Sequence, residues 1–173
     1  VFDEKIAAKM LLRTQGTALS ARKMATDVKI PGAYFAVARC YRPDVLDATH
    51  LVEFNQCEGI VLKEKLNFSN LLGLLSEFTK KITGTDKIRF RPHYFPYTEP
   101  SVEADIWHPK LKCWVEVFGA GIFRPEVTAP FGIKVPVLAW GIGIDRLFMI
   151  RESIEDIRQL FSQDIRYLRG AKI

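Results

Sequence analysis

The stretch DATHLVEFNQCEGIVL, residues 47–62, decides how the rest of the chain is read. Its second half is rich in strand-forming residues. The two-residue period of a strand puts Phe54, Gln56 and Glu58 on one face and Glu53, Asn55 and Cys57 on the other. Both faces then carry polar groups, whereas an ordinary core strand keeps one face apolar. A glutamate inside a protein is costly unless it is paired or faces a polar ligand. Two readings stand side by side: an edge strand with a solvated face, and a strand whose polar face meets a ligand.

Working outward, AYFAVARCYR (33–42) reads as a strand, RPDVLDAT (42–49) as a loop, and 50–62 as the return strand of an antiparallel pair. NFSNLLGLLSEFTKKI (67–82) places Leu71, Leu74, Leu75, Phe78 and Ile82 at helical spacing, with Asn67 and Ser69 as N-cap candidates. KIRFRPHYF (87–95), SVEADIWH (101–108) and KCWVEVFGAGI (112–122) read as further strands. VPVLAWGIG (135–143) is apolar enough to lie centrally in a sheet. Residues 144–161 read as helix with a candidate break near Glu152–Ser153, and 3–12 and 17–25 as short amphipathic and helical segments. The expected fold is one α+β domain over residues 1–173, an antiparallel sheet of about six strands flanked by helices.

At 173 residues and 48% hydrophobic content the chain can bury a real core. It has no apolar run long enough to span a membrane. The opening VFDEKIAAKM has neither an initiator Met nor a signal-peptide pattern, which points to a segment of a longer protein. Cys40, Cys57 and Cys113 are odd in number and dispersed, as expected of reduced thiols in the cytoplasm. The net charge of +5 suits a polyanionic ligand without identifying one.

Polar residues gather in four places. Arg42 and His50 flank the loop that leads to Phe54, Gln56 and Glu58. In YFPYTEPSVE (94–103) aromatic residues alternate around prolines. VEVFGAGIFRPE (115–126) sets Glu116 before two glycines that allow a ligand close to the backbone. GIGIDR (141–146) places Arg146 in the first turn of a helix, where a cation opposes the helix dipole unless it faces an anion. GIGIDR lacks the third glycine and the βαβ context of a dinucleotide fingerprint, so that reading is rejected. Tyr94, Trp107, Trp114 and Trp140 read as core, and His93 and His108 as surface or structural residues. The three histidines have no zinc-ligand spacing.

RCYRPDVLDATHLVEFNQCEG resembles motif 2 of the class II aminoacyl-tRNA synthetases, in the form used by the phenylalanine enzymes. RFRPHYFPYTEPSVE resembles their amino-acid pocket segment, VEVFGAGIFRPEV also fits, and VPVLAWGIGIDRLFMI resembles motif 3. These blocks, in order, cover nearly all of residues 10–160. They put motif 2 at about 38–62, the pocket segment at 89–103 and motif 3 at about 135–150. The likeness is strongest to the catalytic α subunit of the archaeal and eukaryotic type.

The resemblance implies activation of phenylalanine with ATP and Mg²⁺, then transfer to tRNA(Phe). It implies that Arg42 grips the ATP α-phosphate, Phe54 stacks on adenine with Asp44 near its amino group, and His50 and Arg146 meet the phosphates beside Gly143. Gln56 and Glu58 match residues that bind the substrate ammonium, whose charge compensates a buried carboxylate. Phe95 and Tyr97 would clasp the substrate ring, with Thr98, Ala139 and Gly141 lining the pocket and Thr17 beside the amino acid. Glu116 is the first candidate metal ligand. The implied partners are a β subunit and a second α subunit in an (αβ)2 assembly, with no membrane.

The chain departs from the family in four ways, one of them EFNQ in place of EFHQ, with Asn55 outward. RTQGT (13–17) puts Gln15 where the family has a His that helps hold the substrate carboxylate. Pro43–Asp44 replaces an Asn-Glu pair. Motif 1 is absent. Two alternatives stay open: a catalytically impaired relative that binds an amino acid or nucleotide, and a related class II enzyme for another amino acid.

Overall fold

The computed structural model describes residues 2–26 and 28–170. Its elements in chain order are α1 (Glu4–Ala7), α2 (Thr17–Met24), β1 (Gly32–Tyr41), β2 (Glu53–Leu62), α3 (Phe68–Thr83), β3 (Ile88–Pro92), β4 (Thr98–His108), β5 (Cys113–Phe123), α4 (Pro125–Thr128), β6 (Val137–Gly143), α5 (Ile144–Glu152) and α6 (Ile165–Gly170). The strands form one antiparallel sheet in the order β1-β2-β6-β5-β4-β3. This is the expected α+β architecture, with the apolar β6 in the middle of the sheet.

Strand period divides the sheet into two working faces. On the back, Ala104 and Ile106 of β4, Phe118 of β5 and Leu138 and Ile142 of β6 pack against Leu71 and Leu75 of α3 and Leu147 and Ile150 of α5. On the front, Ile60, Leu62, Val137 and Ala139 pack with Met24 of α2, and the polar residues of β2 continue that same face. Burying aliphatic groups on both faces stabilises the fold at roughly 25 cal/mol per Å² of apolar area.

A β-bulge gives β5 its use. Ala104 pairs with Phe118, but the next residue, Asp105, pairs with Glu116, so Val117 is skipped. The extra residue reverses the alternation of faces. Even-numbered Glu116 thus shares the front of the sheet with odd-numbered Gly119 and Gly121. At the outer edge the buried Asp105 accepts from Arg89 Nε at 2.7 Å and Arg91 Nε at 2.8 Å, which ties β3 to β4. Burial opposes ionisation of Asp105, but the two guanidinium groups outweigh it and hold the carboxyl below its usual range.

Several expectations need correction. Asn67 alone caps α3, in a reciprocal pair with Asn70, while Ser69 lies inside the helix. Leu74 is 42% exposed, because the stripe of α3 that meets the sheet is narrower than its apolar pattern. The expected break does fall at Ser153, which turns left-handed where α5 stops at Glu152, but beyond it Ile157–Phe161 form a 3-10 turn rather than more α-helix. The short helices α4 and α6 have too few residues for a periodic signal. Tyr94 is 70% exposed rather than core, and Trp114 is also exposed, paired edge to face with Trp107 beneath Arg89. His108 is buried and structural: it bonds the Ile154 carbonyl at 2.9 Å and accepts from Leu111 N–H.

Candidate active site

A cleft of about 380 Å³ opens on the front of the sheet, and every site residue expected from the sequence lines it. One part of it is built on β2. Gln56 and Glu58 point forward between α2 and β6, as the strand period requires. Gln56 Oε1 accepts from Gly16 N–H at 2.7 Å, which leaves the amide donors of Gln56 turned to Gly141. Glu58 is 2% exposed and accepts from Ser20 Oγ at 3.0 Å on Oε1, while Oε2 has no partner. Burial pushes its carboxyl up to about 7, against the opposing pull of the Ser20 and Thr17 hydroxyls. Gly141 is needed here, because a Cβ would lie 2.7 Å from Gln56 Nε2 and 3.0 Å from Glu58 Oε2.

The aromatic wall follows from the segment before β4. Phe95 and Tyr97 stack with ring centroids 6.0 Å apart. Tyr97 O–H donates to Gln15 Oε1 at 3.1 Å, so the residue that departs from the family pattern is bonded to the ring wall. Burial raises the Tyr97 phenol above its usual range. Thr98 and Ala139 are buried at the base. The two glycines of β5 serve the chain itself. A Cβ on Gly119 would fall 2.5 Å from the Phe95 ring, and one on Gly121 would fall 2.5 Å from the Thr98 side chain. The expected close approach of a ligand is here an approach of the protein's own pocket residues. Gly119→Ala therefore displaces Phe95 at a cost of about 1–3 kcal/mol. The expected result is a lower midpoint in urea denaturation.

Two arginines also line the cleft. The Arg42 guanidinium stands over one face of the Phe54 ring, 5.0 Å from its centroid, and Arg42 Nε donates to the Thr14 carbonyl at 3.0 Å. Arg146 is only 21% exposed, which answers why a cation sits in the first turn of α5. It donates to Glu116 O at 2.9 Å, to Thr49 O at 3.4 Å and to His50 Nε2 at 2.9 Å, and lies 3.6 Å from Glu116 Oε2. A guanidinium has no acceptor, so His50 Nε2 accepts and the ring proton sits on Nδ1, which donates to Asp47 at 2.9 Å. Asp47 is held well below the usual carboxylate range by the Thr49 backbone N–H and by His50. Asp44 lines the same end from the exposed loop, and Gly143 forms the N-cap of α5.

Three contributors escape sequence reasoning. Ser20 holds Glu58, and its one clue is that it lies three residues from Thr17 on a helix, hence on the same face. Asp145 accepts from Asn55 N at 2.7 Å and Asn55 Nδ2 at 3.1 Å, which locks α5 onto the back of β2. Asp47 completes the chain through His50 to Arg146, by a turn that only the folded loop reveals.

The family model for the tRNA synthetases class II core domain (F) matches residues 1–171. The chain belongs to that family. A class II core accounts for the six antiparallel strands and for a cleft on one face of them. The chain is 55% identical over 173 residues to the phenylalanine–tRNA ligase alpha subunit of Thermococcus gammatolerans, covering 100% of this chain and 34% of that protein. It is 54% identical over 173 residues to the subunit of the same name from Pyrococcus abyssi, again 100% and 34%. The Treponema pallidum alpha subunit is 51% identical over 168 residues, 97% of this chain and 30% of that one. The chain spans about a third of the length of the curated relatives it matches. Among the described residues, no helix is long and apolar enough to cross a membrane.

Proposed function

We propose that this class II core activates phenylalanine: its carboxylate attacks the α-phosphorus of ATP in line, giving phenylalanyl-adenylate and pyrophosphate, and the acyl group then passes to tRNA(Phe). The observation that carries the reading is Glu58, a buried carboxylate with one free oxygen in a cleft that two arginines also line. Such a site suits a ligand that brings both its own cation and phosphates. Gln56 and Glu58 take the ammonium. Gln15 and Thr17 lie on the carboxylate side, and Phe95, Tyr97, Thr98, Ala139 and Gly141 surround the ring through edge and face contacts.

At the nucleotide end Phe54 stacks on adenine, Asp44 accepts from its amino group, and His50, Gly143 and Arg146 border the phosphates. No side chain needs to become a covalent nucleophile. Catalysis is orientation plus charge stabilisation by Arg42 and Arg146. Glu116, half-exposed in the cleft beside Arg146, is a hard oxygen donor that fits Mg²⁺. Mg²⁺ is commonly held by one or two carboxylates together with substrate phosphates, and when bound it would neutralise phosphate charge. The same reading assigns the chain to a cytoplasmic (αβ)2 assembly with a β subunit and a second α subunit.

Phenylalanine-dependent ATP–pyrophosphate exchange, measured on the full-length assembly, tests this directly. Arg42→Ala is expected to lower the exchange rate by about 10²–10³, the range for removing one charge-stabilising donor. An unchanged rate removes Arg42 from the phosphate site, and no exchange in the parent overturns the activity itself.

A further inference from the structure

The activation chemistry makes no use of the hydroxyl behind Glu58. Ser20 is 4% exposed on α2 and donates to Glu58 Oε1 at 3.0 Å. Because Oε1 is engaged, the proton of the neutral acid belongs on Oε2, the partnerless oxygen that a ligand ammonium must meet. We propose, building on the ammonium role given above to Glu58, that Ser20 is a positioning residue that turns Oε2 to the ligand, so that phenylalanine binding expels a proton from that oxygen. The O–H bond of the acid breaks, its electron pair stays on the carboxylate, the proton goes to water, and the ligand ammonium takes its place.

The surroundings support this exchange. Ser20 and Glu58 also border a second cavity, of about 370 Å³, between α2 and β1, with Lys23 and Tyr34 in its wall. It lets the proton leave without passing the bound ligand. Burial raises the Glu58 carboxyl to about 7, so a substantial fraction is protonated in the empty protein near neutral pH. The neighbouring titratable groups are Cys40 on β1, Cys57 on β2 and Tyr97 from the ring wall. Burial raises all three above already high values, so none of them changes charge near neutrality. Arg42 stays cationic throughout, and Lys23 faces the second cavity. The His93 and Phe95 rings lie tilted with centroids 4.8 Å apart, and a control lacking the Glu58 charge isolates what Glu58 contributes.

The sign follows. At low pH the ammonium must displace a proton, so affinity rises as pH climbs through about 7 and levels off above it. Calorimetric titration of the full-length assembly with phenylalanine, at about pH 6, 7 and 8 in two buffers of different ionisation enthalpy, counts the protons released. The parent releases about half a proton per phenylalanine at pH 7 and less at pH 8. Glu58→Gln releases none, and whatever pH dependence remains there belongs to other groups. Ser20→Ala loses a hydrogen bond to the ionised form, so binding weakens about fivefold at pH 7. The gap narrows toward high pH, and more proton is released at pH 8 than in the parent. Ser20→Thr, which keeps the hydroxyl, restores the parental profile. Phenylalanine binding without proton release, or an equal loss in Ser20→Ala at every pH, overturns the role of Ser20 and leaves the activity standing. Failure of the parent to bind phenylalanine at any pH overturns both.

Discussion

Glu58→Gln in the full-length assembly is expected to weaken phenylalanine binding by at least about a hundredfold while ATP binding stays within threefold. Breaking a buried charge pair by removing one partner typically costs about 3–5 kcal/mol, and each 1.4 kcal/mol is tenfold in affinity. A hundredfold is the lower end after allowing some water to enter. ATP is spared because Arg42, Phe54 and Arg146, the groups proposed to meet it, make no bond to Glu58. Stability moves the other way. The folded protein holds the Glu58 carboxyl at about 7, above its ordinary value of 4.5. A raised value means that the group contributes stability below about pH 4.5 and loses it as pH rises through 7, by about 3 kcal/mol in all. Gln carries no such penalty, so the ligand-free variant is more stable than the parent at pH 8 and no more stable near pH 4–5. Urea denaturation at both pH values, beside calorimetry with phenylalanine, reads the two effects separately. An affinity within threefold of the parent places the ammonium away from Glu58.

The polar face of β2 is legible in the sequence because one period decides it. Once residues 53–62 are a strand, Gln56 and Glu58 must share a face, and a buried carboxylate demands a reason. The long α3 and the central β6 are legible for the same cause, a strong and uninterrupted pattern. The skipped Val117 is not legible, since a bulge depends on how β4 and β5 settle against each other. Without it, alternation separates Glu116 from Gly119. The use of Gly119 is hidden too, because the ring that needs the space is Phe95, far away in sequence. The apolar letters around residues 94–114 overstate the core. Tyr94 lies in the connection between β3 and β4 and Trp114 near the start of β5, and both are exposed among the described residues. The resemblance supplies the roles of Arg42 and Arg146, while their partners Thr14, Thr49 and Glu116 appear only in the folded chain.

Those partners make Arg146→Ala as severe as Arg42→Ala, with exchange lowered by about 10²–10³. One guanidinium holds the Thr49 carbonyl and His50 from the 42–52 loop and the Glu116 carbonyl from β5, so it fixes the loop while presenting charge to the cleft. Alanine removes the charge and all of these bonds together. Arg146→Lys is expected to rescue little, because one ammonium cannot span the three directions that a planar fork reaches. His50→Ala removes one of the bonds to Arg146 together with the exposed His50–Asp47 bond, and is expected to cost about 1 kcal/mol at the nucleotide end, a fivefold effect. The fold should survive in each case, since α5 is held to β2 by Asp145 and Asn55 and to the back core by Leu147 and Ile150. Phenylalanine affinity should stay within threefold, because Glu58 and its neighbours are untouched. Steady-state exchange with ATP varied, beside phenylalanine calorimetry on the same samples, separates the two ends of the cleft. If Arg146→Ala keeps exchange within fivefold of the parent, Arg146 anchors the loop and takes no part in stabilising charge during the reaction.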